Sequence, residues 1–317
     1  MNPMPTLIKR ELQEHRTAFL WLPLGTLAFL IFITLAVLSA GDMNFSLHST
    51  ITTANETSSY SLESDSSTTS LLNTGLSALE TLSDGKKHTF FAFVHLASSY
   101  LFYLLFISIA VFYLAGTLHD ERSDGSILFW KSMPVSDWQS VLSKLLCIMI
   151  LVPIIFISAI ALYQVALFTI VSLAGLFSGA PVASLWLDSG LVGGWIQLLV
   201  GNFIQGLWML PLYGWLLLVS SCAPRSPVLV ATLMPFVPIA LEAALFQSRY
   251  LLDWIISHLQ TVALPSLSVI GSNLPAKGFN IQNSLAVVSQ GDFFVGLMVG
   301  AIFTAGAIWF RRYKNTV

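Results

Sequence analysis

Long apolar stretches broken by short polar segments set the pattern of this chain. A membrane-crossing helix needs about 20 mostly apolar residues. Six stretches meet that need, at about 18–38, 90–118, 141–176, 191–221, 228–246 and 293–310. Strands of a membrane barrel alternate in polarity over about ten residues. These runs are continuous and far longer, so the pattern predicts an all-α, polytopic membrane protein with six transmembrane helices in a single domain, 1–317.

The first run follows Lys9, Arg10 and Arg16, which gives it the look of a secretory signal. Signal cores run to 7–15 apolar residues. This run is about 21 residues long and reads as a true span. Cytoplasmic loops are enriched in Lys and Arg. With the N-terminus inside, the cytoplasmic side holds Lys9, Arg10, Arg16, Arg122, Lys131, Lys144, Arg225, Arg311, Arg312 and Lys314. The other side holds Lys86, Lys87, Arg249 and Lys277, which completes the 14 basic residues. Ten against four places both termini in the cytoplasm, and the expected location is the bacterial cytoplasmic (inner) membrane.

Composition narrows the class. Of 317 residues, 55% are hydrophobic and 9% charged, against about 25% charged in soluble proteins. That excludes a soluble enzyme, a disordered chain and a disulfide scaffold; the two cysteines, Cys147 and Cys222, lack metal-ligand spacing. A net charge of −2 excludes a nucleic-acid binder driven by bulk positive charge. The six histidines are scattered, and neither H-E-x-x-H nor G-x-S-x-G occurs, so no catalytic residue, metal site or bound cofactor is expected.

The connections carry local signals. Residues 1–17 read as an amphipathic interfacial helix with Leu7, Ile8 and Leu12 on its apolar edge; a plain positively charged anchor is the alternative. The outer loop 41–89 is rich in Ser and Thr, with a weak helical stretch from Leu71 to Leu82. Asn55-Glu56-Thr57 matches a glycosylation sequon, which carries no meaning in a bacterial protein. The outer segment 247–292 is amphipathic from Tyr250 to Leu259 and partly membrane-associated, then broken by Pro265 and Pro275. The substantial cytoplasmic loop is 119–140, leading to Lys144. Gly125 suits a left-handed helix end. Ser126 to Met133 forms two turns closed by Pro134, and Ser136 with Gln139 starts the next helix as a capping box. The short helix lifts Ile127, Leu128, Phe129 and Trp130 out of the bilayer, an apolar patch that needs a docking surface.

This loop resembles the membrane subunit of type II ABC exporters, the ABC-2 type permeases. The family pattern runs close to E-R-x-x-G-S/T-L-x-x-L-x-S/T-x-P-V/I-S/T, followed after six further residues by a Lys; here seven residues separate Ser136 from Lys144. The matching residues are Glu121, Arg122, Gly125, Ser126, Ile127, Ser132, Pro134, Val135, Ser136 and Lys144, with Trp130 where a Leu is usual. The family also has an interfacial N-terminal helix, six spans, inside termini and a partly inserted outer segment. The resemblance implies a transporter in which two permease copies, a homodimer in the simplest case, form a translocation path. Two separate cytosolic ATPase subunits would drive it, binding ATP and Mg in place of this chain, which has no G-x-x-x-x-G-K-S/T. The loop helix would couple to the ATPase, with Leu128 at its tip and the charged contacts drawn from Asp120, Glu121, Arg122 and Asp124. The second run, about 29 residues or about 43 Å, is long enough to project toward such a partner. Rival readings are a stand-alone secondary transporter, and a membrane anchor or assembly factor.

Polar residues inside the spans complete the candidates. Glu242 in the fifth run is either an interfacial carboxylate facing water or Arg249, or a residue of substrate passage or proton coupling on a translocation path. Gln197, Gly201, Gln205 and Trp208 share one face of the fourth run, as helix glue or as path lining. Gln164 on the third is open to either role. Pro153, Pro211, Pro235 and Pro238 are expected to bend their helices.

Overall fold

The computed structural model describes residues 3–39, 47–53, 56–62, 68–263 and 288–313. The chain starts with α1 (Met4–Glu14), then a π-helical turn (Thr17–Trp21) and α2 (Leu22–Ser39). Two short strands, β1 (Leu47–Thr53) and β2 (Glu56–Leu62), pair antiparallel with Leu47 opposite Leu62. Helices α3 (Thr68–Thr81), α4 (Asp84–Ser123), α5 (Ser126–Ser132) and α6 (Asp137–Leu146) follow. A second π turn (Cys147–Leu151) leads into α7 (Val152–Ser178), then α8 (Ala183–Leu187), α9 (Leu191–Trp208) and α10 (Leu210–Cys222). The rest is α11 (Pro227–Leu233), α12 (Phe236–Phe246), α13 (Tyr250–Ala263) and α14 (Gly291–Tyr313).

Among the described residues, six helical stretches are long and apolar enough to cross a membrane, as the pattern predicts. The strand pair departs from the purely helical expectation; it forms in the Ser/Thr-rich loop, where β-branched Thr favours extended backbone. Of the sequon, Asn55 lies outside the described residues, as do Pro265 and Pro275. The weak helical signal at 71–82 is α3, and the amphipathic stretch from Tyr250 is α13.

The prolines act where expected, through the amide hydrogen they lack. Pro153 is the second residue of α7, two positions after the π turn Cys147–Leu151 ends. Pro235 separates α11 from α12. The fourth apolar run is not one helix: it breaks at Met209 (φ −83°, ψ 2°), and Pro211 lies in the first turn of α10.

The bundle is unevenly buried. Within the most apolar 18 residues of each span, half or more is buried in α4 (50%) and in α6–α7 (56%), against 11% in the first span and 6% in α11–α12. The core therefore runs along α4, α6–α7 and α10, with Phe102, Leu114, Ala115, Val141, Ile148, Val152 and Leu217 fully or almost fully enclosed. The first and fifth spans leave Phe29, Phe32, Phe236 and Val237 more than half exposed. Beside α2 lies an open apolar groove of about 250 Å³, lined by Trp21, Leu22, Gly25, Thr26, Phe29 and Leu101.

Among the described helices, α10 and α14 pack against each other most extensively. A Cβ on Gly214 would stand 2.6 Å from the carbonyl oxygen of Gly300, and one on Gly300 would stand 2.7 Å from the backbone of Leu210. Gly296 and Gly300 form a G-x-x-x-G pair on α14. Lipid tails are as apolar as the side chains, so helices in a bilayer associate through close packing, and small residues permit the closest approach. The sequence reading passed over this pair. Gly300→Ala should cost about 1–3 kcal/mol by overpacking against backbone that cannot yield, whereas Gly25→Ala, with nothing within 4 Å of the added carbon, should be near neutral. Equilibrium unfolding of both variants in mixed micelles checks this.

Candidate functional site

Both chain-terminal helices meet at one end of the bundle, around a buried cluster of charges. Its centre is Glu121, on the last turns of α4. Arg10 Nη2 of α1 donates to Glu121 Oε1 at 2.9 Å, and Lys144 Nζ of α6 lies 3.0 Å from the same oxygen. Arg311, at the end of α14, donates to Glu121 Oε2. Glu11 of α1 forms the second pole: Lys144 Nζ donates to its Oε1 at 2.8 Å and the Tyr113 hydroxyl to its Oε2 at 2.7 Å. Lys144 also donates to Thr117 Oγ1 at 2.8 Å. Asp137 Oδ1 stands 3.2 Å from Arg311 Nε.

The local folding rules explain the placement. Leu7 and Glu11 are one helical turn apart, and both are buried on the inner face of α1. Glu121 and Thr117 are likewise one turn apart on α4, and the side chain of Lys144 crosses between the two carboxylates. An ion taken from water loses several kcal/mol of hydration, and its neighbours offset this only if every charge is paired and hydrogen-bonded. Glu11 and Lys144 are each 1% exposed and Glu121 is 7% exposed; all three have those partners. At the rim, burial works against the charge of Arg10, but Glu11, Glu121 and Glu14 together raise its pKa above the ordinary arginine value. Burial pushes His15 below the ordinary histidine range despite nearby Glu11 and Glu14. Glu11, Glu14 and His15 come close enough to hold an ion, yet Glu11 is already taken by Lys144 and Tyr113.

This cluster positions α5. Gly125 takes the left-handed conformation (φ 70°, ψ 0°) and turns the chain out of α4. Ser126 Oγ donates to the carbonyl of Glu121 itself. Pro134 follows the end of the helix, and Gln139 Oε1 accepts from the Ser136 backbone N–H at 3.1 Å, starting α6. One face of α5 docks on the chain: Ile127 is 1% exposed, the Arg10 guanidinium lies 3.8 Å over the Trp130 ring, and Lys131 Nζ donates to the Arg312 carbonyl. The other face is open: Leu128 is 61% exposed and Phe129 55%, continued by Met133 and by Trp138 of α6.

The loop residues thus divide into two groups. Glu121, Arg122, Ile127 and Lys144 were expected at a partner's surface and are instead buried in the chain, because each has an internal mate. Arg122 Nη2 donates to the carbonyls of Ser220 and Ala223 at the end of α10, both at 2.9 Å, where a cation suits the helix dipole. Asp120, Asp124, Leu128 and Pro134 are exposed, and Ser126, Trp130 and Ser136 are half-buried.

The polar candidates in the spans fall in three places. Gln164 is 1% exposed and bonded to His95, Ser98 and Trp195. Glu242 accepts from Ser248 Oγ (2.7 Å) and from the backbone N–H groups of Tyr250 (2.8 Å) and Leu251 (2.9 Å). It caps the start of α13 and folds the corner after α12 (Gln247 φ 49°). Neither Arg249 nor a translocation path is needed to explain it. On α9, Gln197 is half-buried, while Gln205 lies one turn before Trp208, whose ring stacks on His258 of α13 at 4.4 Å. Arg10, Glu11, Tyr113, Asp137 and Arg311 were missed. The one legible signal among them was Glu11, a carboxylate one turn from Leu7 on the apolar edge of α1.

No family model, curated protein or solved structure matches this chain.

Removing one member of a buried ion cluster leaves the others unpaired, at a cost of about 3–5 kcal/mol. Glu121→Gln should destabilise the chain by that much, whereas Asp124→Asn, exposed two residues before the start of α5, should stay within about 0.5 kcal/mol of the parent. Denaturant titration in a bilayer mimetic separates the two.

Proposed function

We propose that this chain is the permease subunit of an ABC-type transporter, most simply a homodimer, driven by two separate cytosolic ATPase subunits that hold ATP and Mg. The observation that carries the reading is α5. It is a two-turn helix set between Gly125 and Pro134, anchored by Ile127, Trp130 and Lys131 to the terminal-end cluster, with Leu128, Phe129, Met133 and Trp138 presented outward. Aromatic and aliphatic side chains exposed beyond the apolar spans are suited to a protein pocket. The end of the bundle that bears α5 is then the cytoplasmic end, and export is the direction that the loop's resemblance favours.

Two further features support the arrangement. Helix α4 has 40 residues, about 60 Å of helix, twice the roughly 30 Å hydrocarbon core, so it reaches well past the bilayer and carries α5 at its end. Among the described residues, the void between Phe102, Phe106, Phe156 and Asn202 measures about 10 Å³, too small to pass cargo. A path wide enough for cargo is more readily formed between two copies, and the sparsely buried first and fifth spans leave room for a second copy as well as for lipid.

Co-expression of the chain with a P-loop ATPase encoded in the same genome tests the proposal. The parent chain should capture the ATPase in detergent. Leu128→Glu with Phe129→Glu should weaken capture at least tenfold while leaving folding intact, because both side chains are exposed on the chain. Equal capture by the double variant, or no capture by the parent, contradicts the reading.

A further inference from the structure

At the end of the bundle away from α5, His95 of α4 faces two oxygens. Its Nδ1 lies 3.2 Å from Gln164 Oε1 of α7, and its Nε2 lies 3.1 Å from the backbone carbonyl oxygen of Ser189, just before α9. A backbone carbonyl only accepts. The amide of Gln164 could present nitrogen instead of oxygen, but Trp195 prevents this: its indole N–H, a donor only, lies 2.8 Å from Gln164 Oε1. The Gln164 nitrogen is meanwhile placed to donate to Ser98 Oγ at 2.9 Å and toward the His95 carbonyl at 3.4 Å. Both ring nitrogens of His95 therefore face acceptors whose identity is fixed by their other partners.

A neutral imidazole has one N–H and one lone pair; only the imidazolium donates from both nitrogens. A neutral ring would set a lone pair against either Gln164 Oε1 or the Ser189 carbonyl. We infer that His95 is a proton-binding site, and that its doubly protonated ring locks together α4, α7 and the entry to α9. Losing the proton breaks one of the two bonds and frees either Ser189 or Gln164.

The surroundings fit a proton rather than a larger ligand. The ring is half-buried, while Gln164 and Ser189 are 1% and 4% exposed. A Cβ on Gly194 would stand 3.2 Å from the ring, so α9 closes over it without a gap. The connection before α9 brings one carboxylate, Asp188, held at 2.8 Å by Lys87 of α4. On α4 itself, Lys87 and His88 lie about two turns nearer the helix start. Toward the ring, α7 offers an amide and α9 an indole and a glycine. The same end of the bundle holds a small apolar cluster that includes Leu76, Phe91, Phe168, Leu185 and Leu191, where α3 and α8 meet α7. This inference does not rest on the transporter reading.

Nitrogen-15 NMR of histidine-labelled full-length protein in nanodiscs tests it, over the range of about pH 5 to 8 in which histidines change charge. His95→Gln identifies the signal. The parent should show His95 with both nitrogens protonated at the acid end. As that signal is lost, protection of the Trp195 and Ile196 amides against hydrogen exchange, corrected for intrinsic rates, should fall at least tenfold. His95→Gln should abolish the pH dependence of that protection. Gln164→Glu, which sets a carboxylate beside the ring, should move the transition to higher pH. A ring that stays a neutral tautomer throughout, a transition unmoved in Gln164→Glu, or unchanged pH dependence in His95→Gln overturns the inference.

Discussion

A single carboxylate shared by three cations governs the architecture of one end of this protein. Glu121 receives Arg10 from the first helix, Lys144 from the helix after the loop and Arg311 from the last helix. Isolated ions at that depth cost several kcal/mol each; the cluster is tolerable because Glu11 shares Lys144 and Tyr113 supplies a further hydrogen bond. The same residues then fix α5, since Ser126 bonds to the Glu121 carbonyl and Trp130 lies under Arg10. The helix proposed to meet an ATPase is therefore seated on charges contributed by both ends of the chain. Through Glu121, the end of α4 that carries α5 is tied to α1, α6 and α14.

Apolar packing organises the remainder by a different rule. Within a bilayer, side chains gain little by leaving lipid, so close approach decides which helices pair. The glycines of α10 and α14 provide it, and α14 is thereby aligned to deliver Arg311 to Glu121. Proline-linked interruptions at Met209 and Met234 divide the fourth and fifth runs. The first and fifth spans remain peripheral, with large apolar faces outside the chain's own core.

What the sequence disclosed follows from the range of each interaction. Gly125, Pro134 and Gln139 act on neighbours a few residues away, so the outline of α5 was legible, as were the six spans, whose length is set by the bilayer. The internal mates of the loop were not legible, because Arg10 and Arg311 lie 111 and 190 positions from Glu121 and nothing local ties them together. For the same reason Glu121 and Lys144 read as surface contacts, whereas both are buried. The actual partners of Glu242, the Ser248 hydroxyl and two backbone N–H groups after a tight corner, were not legible because backbone donors carry no side-chain signature. His95 went unremarked among scattered histidines, since its meaning depends on Gln164 and Ser189 being brought to either side of the ring.

The most direct test of the central claim is a distance measurement across the cluster. Spin labels at two exposed positions, Lys9 on α1 and Arg312 on α14, report whether the two terminal helices are held together in a bilayer. One narrow distance distribution is expected in the parent, and a broad or lengthened one in Glu121→Gln. An equally narrow, unshifted distribution in both would show that the helices are joined by something other than this carboxylate.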